Sequence, residues 1–487
     1  MYVAIIPLIK SRWWRLLLFG LLLFSPASLA IAINLRVWRG FVYYSLTLFV
    51  IAFSVGLFLR VDRKIPSMIC WACGLGLSMG AFMLTREEGV WIYPMLLLLL
   101  GSCVIVIWRR KMEHKWLRST IVFCSVIIWY IPILTVSYLN YSNYGFWGYS
   151  ETLDGDFNRV INTLGRVKTD AWYPYSSVTR ESLDQAYAIS PLLTQLQPAM
   201  DASWDGWLFH SDNAIAGSPD WYRERYFAEG ARQIGSGHIL WLFRDVLASN
   251  GYYSSGHYPR EYLRALADEL QSACDGGVLE CYPALNIPMV GSMRAAHVPI
   301  VFHYFVSDIY ELLRSDEDRL TIDPLDLRKW KPLHQTDSMY FKEFAYNPMQ
   351  PQDAAEAQAY DRPVSGSRDI RLTALKYKAL LMKGILSGYR AVTLPGAIIL
   401  CLAWVVWLSF CLIRRHKIHS LQGLQVFLFL LGLLVTREMT LAISAATSNG
   451  SYVIYGMSNY LFIYIILFLM LFHLSEQMAQ AIVAGRK

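Results

Sequence analysis

Outside one central stretch, this sequence has almost no acid. Of its 37 Asp and Glu residues, 31 lie between Tyr141 and Arg390, so the two flanks share only six. The flanks nevertheless hold 20 of the 44 Lys and Arg residues. The overall charge of +7 is therefore the sum of an acidic centre and basic flanks. That split argues against nucleic acid as the partner, and fits flanks that edge an anionic membrane surface. Catalytic signatures are also missing. The histidines at 210, 238, 257, 297 and 303 never fall into an H-E-x-x-H spacing, and Gly235-Ser236-Gly237-His238 is not a G-x-S-x-G elbow. No Walker loop or dinucleotide fingerprint is present, so the common soluble hydrolase and nucleotide-binding classes have no support. No internal repeat or low-complexity tract stands out. The first apolar run lacks a small-residue cleavage site, which argues against a cleaved signal peptide.

What the flanks do contain is apolar residues. Hydrophobic residues make up 55% of the chain, and the mean hydropathy is +0.32. A helix needs about 20 consecutive apolar residues to cross a bilayer core. Eight stretches approach that length, at roughly 14–33, 41–59, 66–84, 90–108, 119–139, 393–413, 422–446 and 453–473. Pro26, in Phe24-Ser25-Pro26, is expected to kink or end the first. The expected fold is an α-helical polytopic membrane protein of about eight transmembrane helices. A five-helix block covers 1–140, a large, mainly α extracytoplasmic domain covers 141–390, and a three-helix block covers 391–487.

Short-loop Lys and Arg set the orientation. Arg12 and Arg15, then Arg60, Arg63 and Lys64, then Arg109 to Arg118, then Arg414 to Lys417, and finally Arg486 and Lys487 fall on one side if every stretch spans once. That side is the cytoplasm, which places both termini inside and the 141–390 domain outside an inner membrane. Arg371, Lys376, Lys378, Lys383 and Arg390 lie just outside the sixth span, where an amphipathic helix along the interface would accommodate them.

In the outer domain, helices are expected at Glu181–Ala188, His238–Ala248, Pro259–Ala273 and Ala296–Leu313, the last as a buried helix. Its aromatic residues, among them Trp147, Trp172, Tyr173, Tyr175, Trp204, Trp207, Trp221, Tyr222, Tyr226 and Trp241, suit either glycan stacking or core and interface anchoring. Cys274 and Cys281 frame a Gly-Gly turn and are the only cysteines of the domain. In an oxidising compartment they read as a disulfide. Cys70 and Cys73 lie in an apolar helix, where packing is the better reading.

Two charged sets stand out. Leu84-Thr85-Arg86-Glu87-Glu88-Gly89 joins two apolar helices and follows Gly74, Gly76, Ser78 and Gly80, whose small size favours close helix packing. Arg86 suits a lipid phosphate, and Glu87 or Glu88 a divalent metal or a sugar hydroxyl. A plain solvated connection is the competing reading. Arg437 and Glu438 lie inside an apolar stretch, where ionisable residues are functional candidates; adjacent residues face different ways, so each needs its own partner. Arg36 and Arg39 add positive charge on an outer loop, for a phosphate or for headgroups.

The order of parts resembles C-type glycosyltransferases, polytopic enzymes that use polyprenyl-phosphate-linked sugars. The likeness rests on Phe24-Ser25-Pro26 ending an apolar run, the Gly-rich helix, and the loop from Leu84 to Gly89 followed by Tyr93-Pro94. Arg86 stands where that family commonly has Lys. The remainder resembles a group of bacterial membrane proteins with a similar front half, through Gly237 to Trp241, Arg244-Asp245, Cys274 to Cys281, and Arg437 through Ser448 with Tyr460. The resemblance implies transfer of a sugar from a polyprenyl-phosphate carrier to an extracytoplasmic glycan, lipid or protein. Arg86, Arg36, Arg39, Arg437 and Glu438 would bind substrate, and Glu87 and Glu88 would be catalytic. One departure is large. That family carries its catalytic acid on the first outer loop, but Asn34 to Gly40 contains none. Either an N-terminal stretch is missing, which the apolar start Met1 to Lys10 favours, or the chain is a non-catalytic subunit or scaffold of an envelope polysaccharide assembly.

Overall fold

Long runs of Leu, Ile, Val and Phe, broken by Gly, Pro or charge only at their ends, form helices because a helix satisfies all its backbone groups internally. The computed structural model describes residues 1–28, 39–153, 155–215, 232–283, 295–314, 367–414, 421–448 and 458–485. Helix α1 spans Arg12–Leu23, α2 Arg39–Phe58, α3 Ile65–Thr85, α4 Tyr93–Arg109 and α5 Lys115–Tyr144. Six smaller helices follow: α6 Gly155–Leu164, α7 Arg180–Tyr187, α8 Pro191–Thr194, α9 Gln197–Ile215, α10 Ser236–Ser249 and α11 Arg260–Asp275. Then come α12 Val298–Arg314, α13 Ser367–Arg414, α14 Leu421–Ser448 and α15 Asn459–Gly485. Six of these are long and apolar enough to cross a membrane, through Ile65–Thr85, Gly89–Arg109, Lys115–Tyr144, Gly384–Trp407, Gln422–Thr447 and Asn459–Ala479. The chain is thus an α-helical multi-pass membrane protein.

The first two expected spans are less regular. A 17-residue apolar segment, Val42–Phe58, stands for the second. The first is helical for only 12 residues before Phe24, and the chain turns at Ser25 as Pro26 foretells. The turn is held by Ser25 Oγ and Ser28 Oγ, 3.1 and 2.9 Å from the Tyr44 hydroxyl. The segment still reaches from one end of the bundle towards the other. Near its start, Arg60 donates to the carbonyls of Val3 and Ala4 at 2.6 and 2.8 Å. The same end gathers other basic residues. Arg118 Nη1 donates to the carbonyls of Val61 and Arg63, and Arg110 pairs with Asp62 at 3.6 Å.

Small residues let the first helices interlock. The ring of Phe53 occupies the space over Gly74, and the ring of Trp71 that over Gly56. A Cβ on Gly76 or Gly80 would come within 2.7 Å of the backbone of α5, at Ser125 O and Trp129 O respectively. Pro132, inside α5, packs into the notch at Gly80.

The helices α6 to α11 build a separate apolar core around Phe157, Leu183, Met200, Phe243 and Leu266. The four helices expected between Tyr141 and Arg390 are present as α7, α10, α11 and α12, with ends shifted by one or two residues. Cys274 and Cys281 form a disulfide with Cα atoms 5.4 Å apart. The closed loop docks on the end of α6, where Lys168 N donates to Glu280 O and Tyr282 N to Arg166 O, each at 2.8 Å. Cys70 and Cys73 are free thiols.

Two expectations need correction. The basic residues before the sixth span do not lie on a separate interfacial helix. They belong to α13, one continuous 48-residue helix that runs into the span. Helix propagation is cooperative, and between Ser367 and the span the chain has Gly384 and Gly388 but no proline to stop it. Helix α12 is not buried in the core of the α6–α11 unit. Ile300, Val301 and Tyr304 pack on Ala442, Ala445 and Ala446 of α14. Alanines leave a shallow groove that accepts a second helix closely.

The backbone contact at Gly80 gives a testable contrast. G80A is expected to lower thermal stability by about 1–3 kcal/mol, because the backbone of α5 has to move. G432A meets only the flexible end of Met95 and is expected to cost less. Unfolding of both variants in detergent, followed by circular dichroism, checks the order.

Candidate functional site

Two charged sets separated by some 350 residues of sequence meet at the bundle end opposite Arg60 and Arg118. The backbone at Arg86 is extended, with φ −152° and ψ 141°, and so ends α3. A 3-10 helix, Glu87–Ile92, follows, and Pro94 in the first turn of α4 restarts regular helix. This break turns the buried Arg86 towards α2, where its guanidinium carbon lies 5.7 Å from the centre of the Tyr43 ring. Arg437 of α14 is fully buried, 5.4 Å from the same ring and 5.3 Å from the Trp91 ring. The two cations therefore share one aromatic partner. A desolvated cation–aromatic contact contributes about 2 kcal/mol, which offsets part of the cost of burying each charge.

The aromatic partner is itself fixed. Tyr43 stacks on Phe82 with centroids 4.5 Å apart, and Trp91 Nε1 donates to the Tyr43 hydroxyl at 2.7 Å. Trp91 also meets Phe82 and Phe462 edge-on, at 6.0 and 5.8 Å. Four elements, α2, α3, the 3-10 turn and α15, thus supply one ring cluster beneath the two arginines.

Glu438 faces another way, as adjacency on a helix requires. It is fully buried, and Asn459 Nδ2, at the start of α15, donates to its Oε1. Asp308 of α12 shares a helix face with Val301 and Tyr304, which pack on α14. Glu438 Oε2, Asn459 Oδ1 and Ser458 Oγ are buried and have no hydrogen-bond partner among the described residues. These three oxygens can accept hydrogen bonds, and the guanidinium groups of Arg86 and Arg437 can donate them.

The other expected site residues are placed as follows. Glu87 opens the 3-10 turn and is half-buried beside Arg86. Glu88 lies in the same turn, with its side chain outside the described residues. Arg36 lies outside them altogether, and Arg39 starts α2 with its side chain also outside them. Sequence reasoning missed Tyr43, Trp91, Asn459 and Asp308. Trp91 and Tyr43 are uncharged residues of apolar runs, and nothing in the sequence singled them out. Asn459 had a usable signal, a lone amide at the head of an apolar helix.

The aromatic residues of the central region divide between core and surface. Tyr175 and Trp204 are buried, Trp147 is exposed beside Tyr141, and Trp221, Tyr222 and Tyr226 lie outside the described residues. Trp172 meets the buried His297 edge-on, and His297 Nε2 bonds Pro174 O at 2.9 Å. The cavity beneath them has a volume of ≈ 30 Å³, room for a water and not for a sugar. Among the described residues, no group of three or more His, Cys, Asp and Glu gathers to hold a metal.

The Glu438–Asn459 contact is testable by a double-mutant cycle. E438A and N459A are expected to couple by about 0.5–1.5 kcal/mol, the value of a side-chain hydrogen bond. Additive losses of thermal stability would show that the contact contributes nothing.

In comparisons with known proteins, no family model matches this chain, and no curated protein and no solved structure matches it.

Proposed function

We propose that this chain is a membrane glycosyltransferase-like protein that takes a sugar from a polyprenyl-phosphate carrier and passes it to an extracytoplasmic glycan, lipid or protein. The observation that carries the reading is the convergence of Arg86 and Arg437 on the Tyr43 ring, beside the buried acceptors of Glu438, Asn459 and Ser458. Guanidinium forks bind phosphate oxygens with charge-assisted hydrogen bonds. The acceptor oxygens suit the hydroxyl groups of the attached sugar. Lipid-linked donors arrive laterally, and a site among apolar helices is where a polyprenyl chain is soluble.

Orientation follows from the basic end of the bundle. Arg60, Arg63, Arg110 and Arg118 mark the cytoplasmic face of an inner membrane, and both termini lie on it. The Arg86 end then faces outward, together with the α6–α11 unit and its disulfide, which suits an oxidising compartment. In this reading Arg86 and Arg437 hold the phosphate, Glu438 and Asn459 orient the sugar, and Glu87 accepts the proton of the incoming hydroxyl. A second reading is a non-catalytic subunit of an envelope polysaccharide assembly, favoured by the acid-free segment Asn34 to Gly40.

One experiment addresses both. Protein reconstituted in liposomes is assayed for binding of polyprenyl phosphate and for sugar transfer. R86A and R437A are each expected to weaken binding about 10- to 100-fold, as loss of a charge-assisted hydrogen bond implies. R86K and R437K should lose less, since charge remains but the fork does not. Unchanged binding in both alanine variants would sink the site. Retained binding without transfer in the native chain would select the non-catalytic reading.

A further inference from the structure

Helix α12 carries its residues the wrong way round for a helix in water. Val298, Phe302, Val306 and Tyr310 follow one another at every fourth position and so form one stripe. They are 61, 66, 47 and 50% exposed. The acids lie on the opposite side. Asp308 shares a face with Val301 and Tyr304, and Glu311 shares one with Ile300 and Tyr304, all three of which are buried against α14. A soluble helix packs apolar residues inward and turns acids to solvent. This one turns acids to the bundle and apolar residues outward, the arrangement expected where the surroundings are lipid.

Its position agrees. The start of α12 packs on Ala442 to Ala446, and Ile309, Leu312 and Leu313, further along, join the main core between the spanning helices. Helix α12 thus runs from the Ala442–Ala446 end of α14 into the main bundle, beside a membrane-spanning segment. Helix α14 itself exposes the apolar residues Val435 and Met439. Helix α12 also packs against α13, which exposes Val392, Ile398, Ile399 and Leu402. It thus lies against two spanning helices that themselves turn apolar residues outward. With 17 residues, α12 is about 25 Å long, too short to cross a bilayer core by itself.

We propose that α12 is inserted part-way into the bilayer beside α14, with Val298, Phe302, Val306 and Tyr310 against lipid acyl chains and Asp308 on the side turned to the bundle. The inference concerns the surroundings of the helix and stands whether or not the Arg86 site transfers sugar.

The test uses the full chain in its native membrane. A photoreactive benzoylphenylalanine is placed at position 302, at 306, and at Val278, which is 67% exposed in the disulfide loop of the α6–α11 unit. After illumination, mass spectrometry identifies the adducts. The proposal expects lipid adducts at 302 and 306, several-fold above those at 278. Adducts with a second copy or another protein at 302 and 306, or lipid labelling no greater than at 278, overturn it. Independently, F302E and V306E are expected to reduce the yield of folded protein several-fold, since a carboxylate against acyl chains is costly. Undiminished yields of both overturn the proposal as well.

Discussion

Two buried guanidinium groups on one tyrosine ring set the constraint that the rest of this end of the molecule obeys. A charge inside an apolar bundle is tolerated only where fixed dipoles, rings or counter-charges surround it. Tyr43 can serve Arg86 and Arg437 at once only if α2, α3 and α14 meet at one level. The Trp91 hydrogen bond and the Phe82 stack keep that ring from turning away. The break after Thr85 makes this possible, because an uninterrupted α3 would carry Arg86 on along its own axis.

The opposite end shows the same physics with less demand. Arg60, Arg63, Arg110 and Arg118 tie three connections together through carbonyls and Asp62, and most of these side chains stay near solvent. Close packing of α2, α3 and α5 joins the two ends. Glycine at 56, 74, 76 and 80 lets rings and backbone of one helix sit directly on the next. Tight contact matters in a bilayer, where apolar surface gains little from hiding within protein instead of lipid.

Helix α12 links the central region to the site. It leaves the neighbourhood of His297, which is held by Pro174 and Trp172, and it ends beside the membrane helices.

The sequence by itself determined the class of protein. Runs of apolar residues must be helices in a bilayer, and 15 to 30 residues of such a run leave little choice of structure. The disulfide was legible because only two cysteines compete, with a turn between them. Arg86, Arg437 and Glu438 were legible as single residues, because charge in an apolar run is expensive wherever it falls. Their meeting was not. Helical periodicity fixes which residues share a face, but not which helix that face meets, and Tyr43, Trp91, Asn459 and Asp308 acquire meaning only from that meeting. The place of α12 was hidden for the same reason. An amphipathic pattern shows that one face differs from the other, and only its neighbours decide which face is inside.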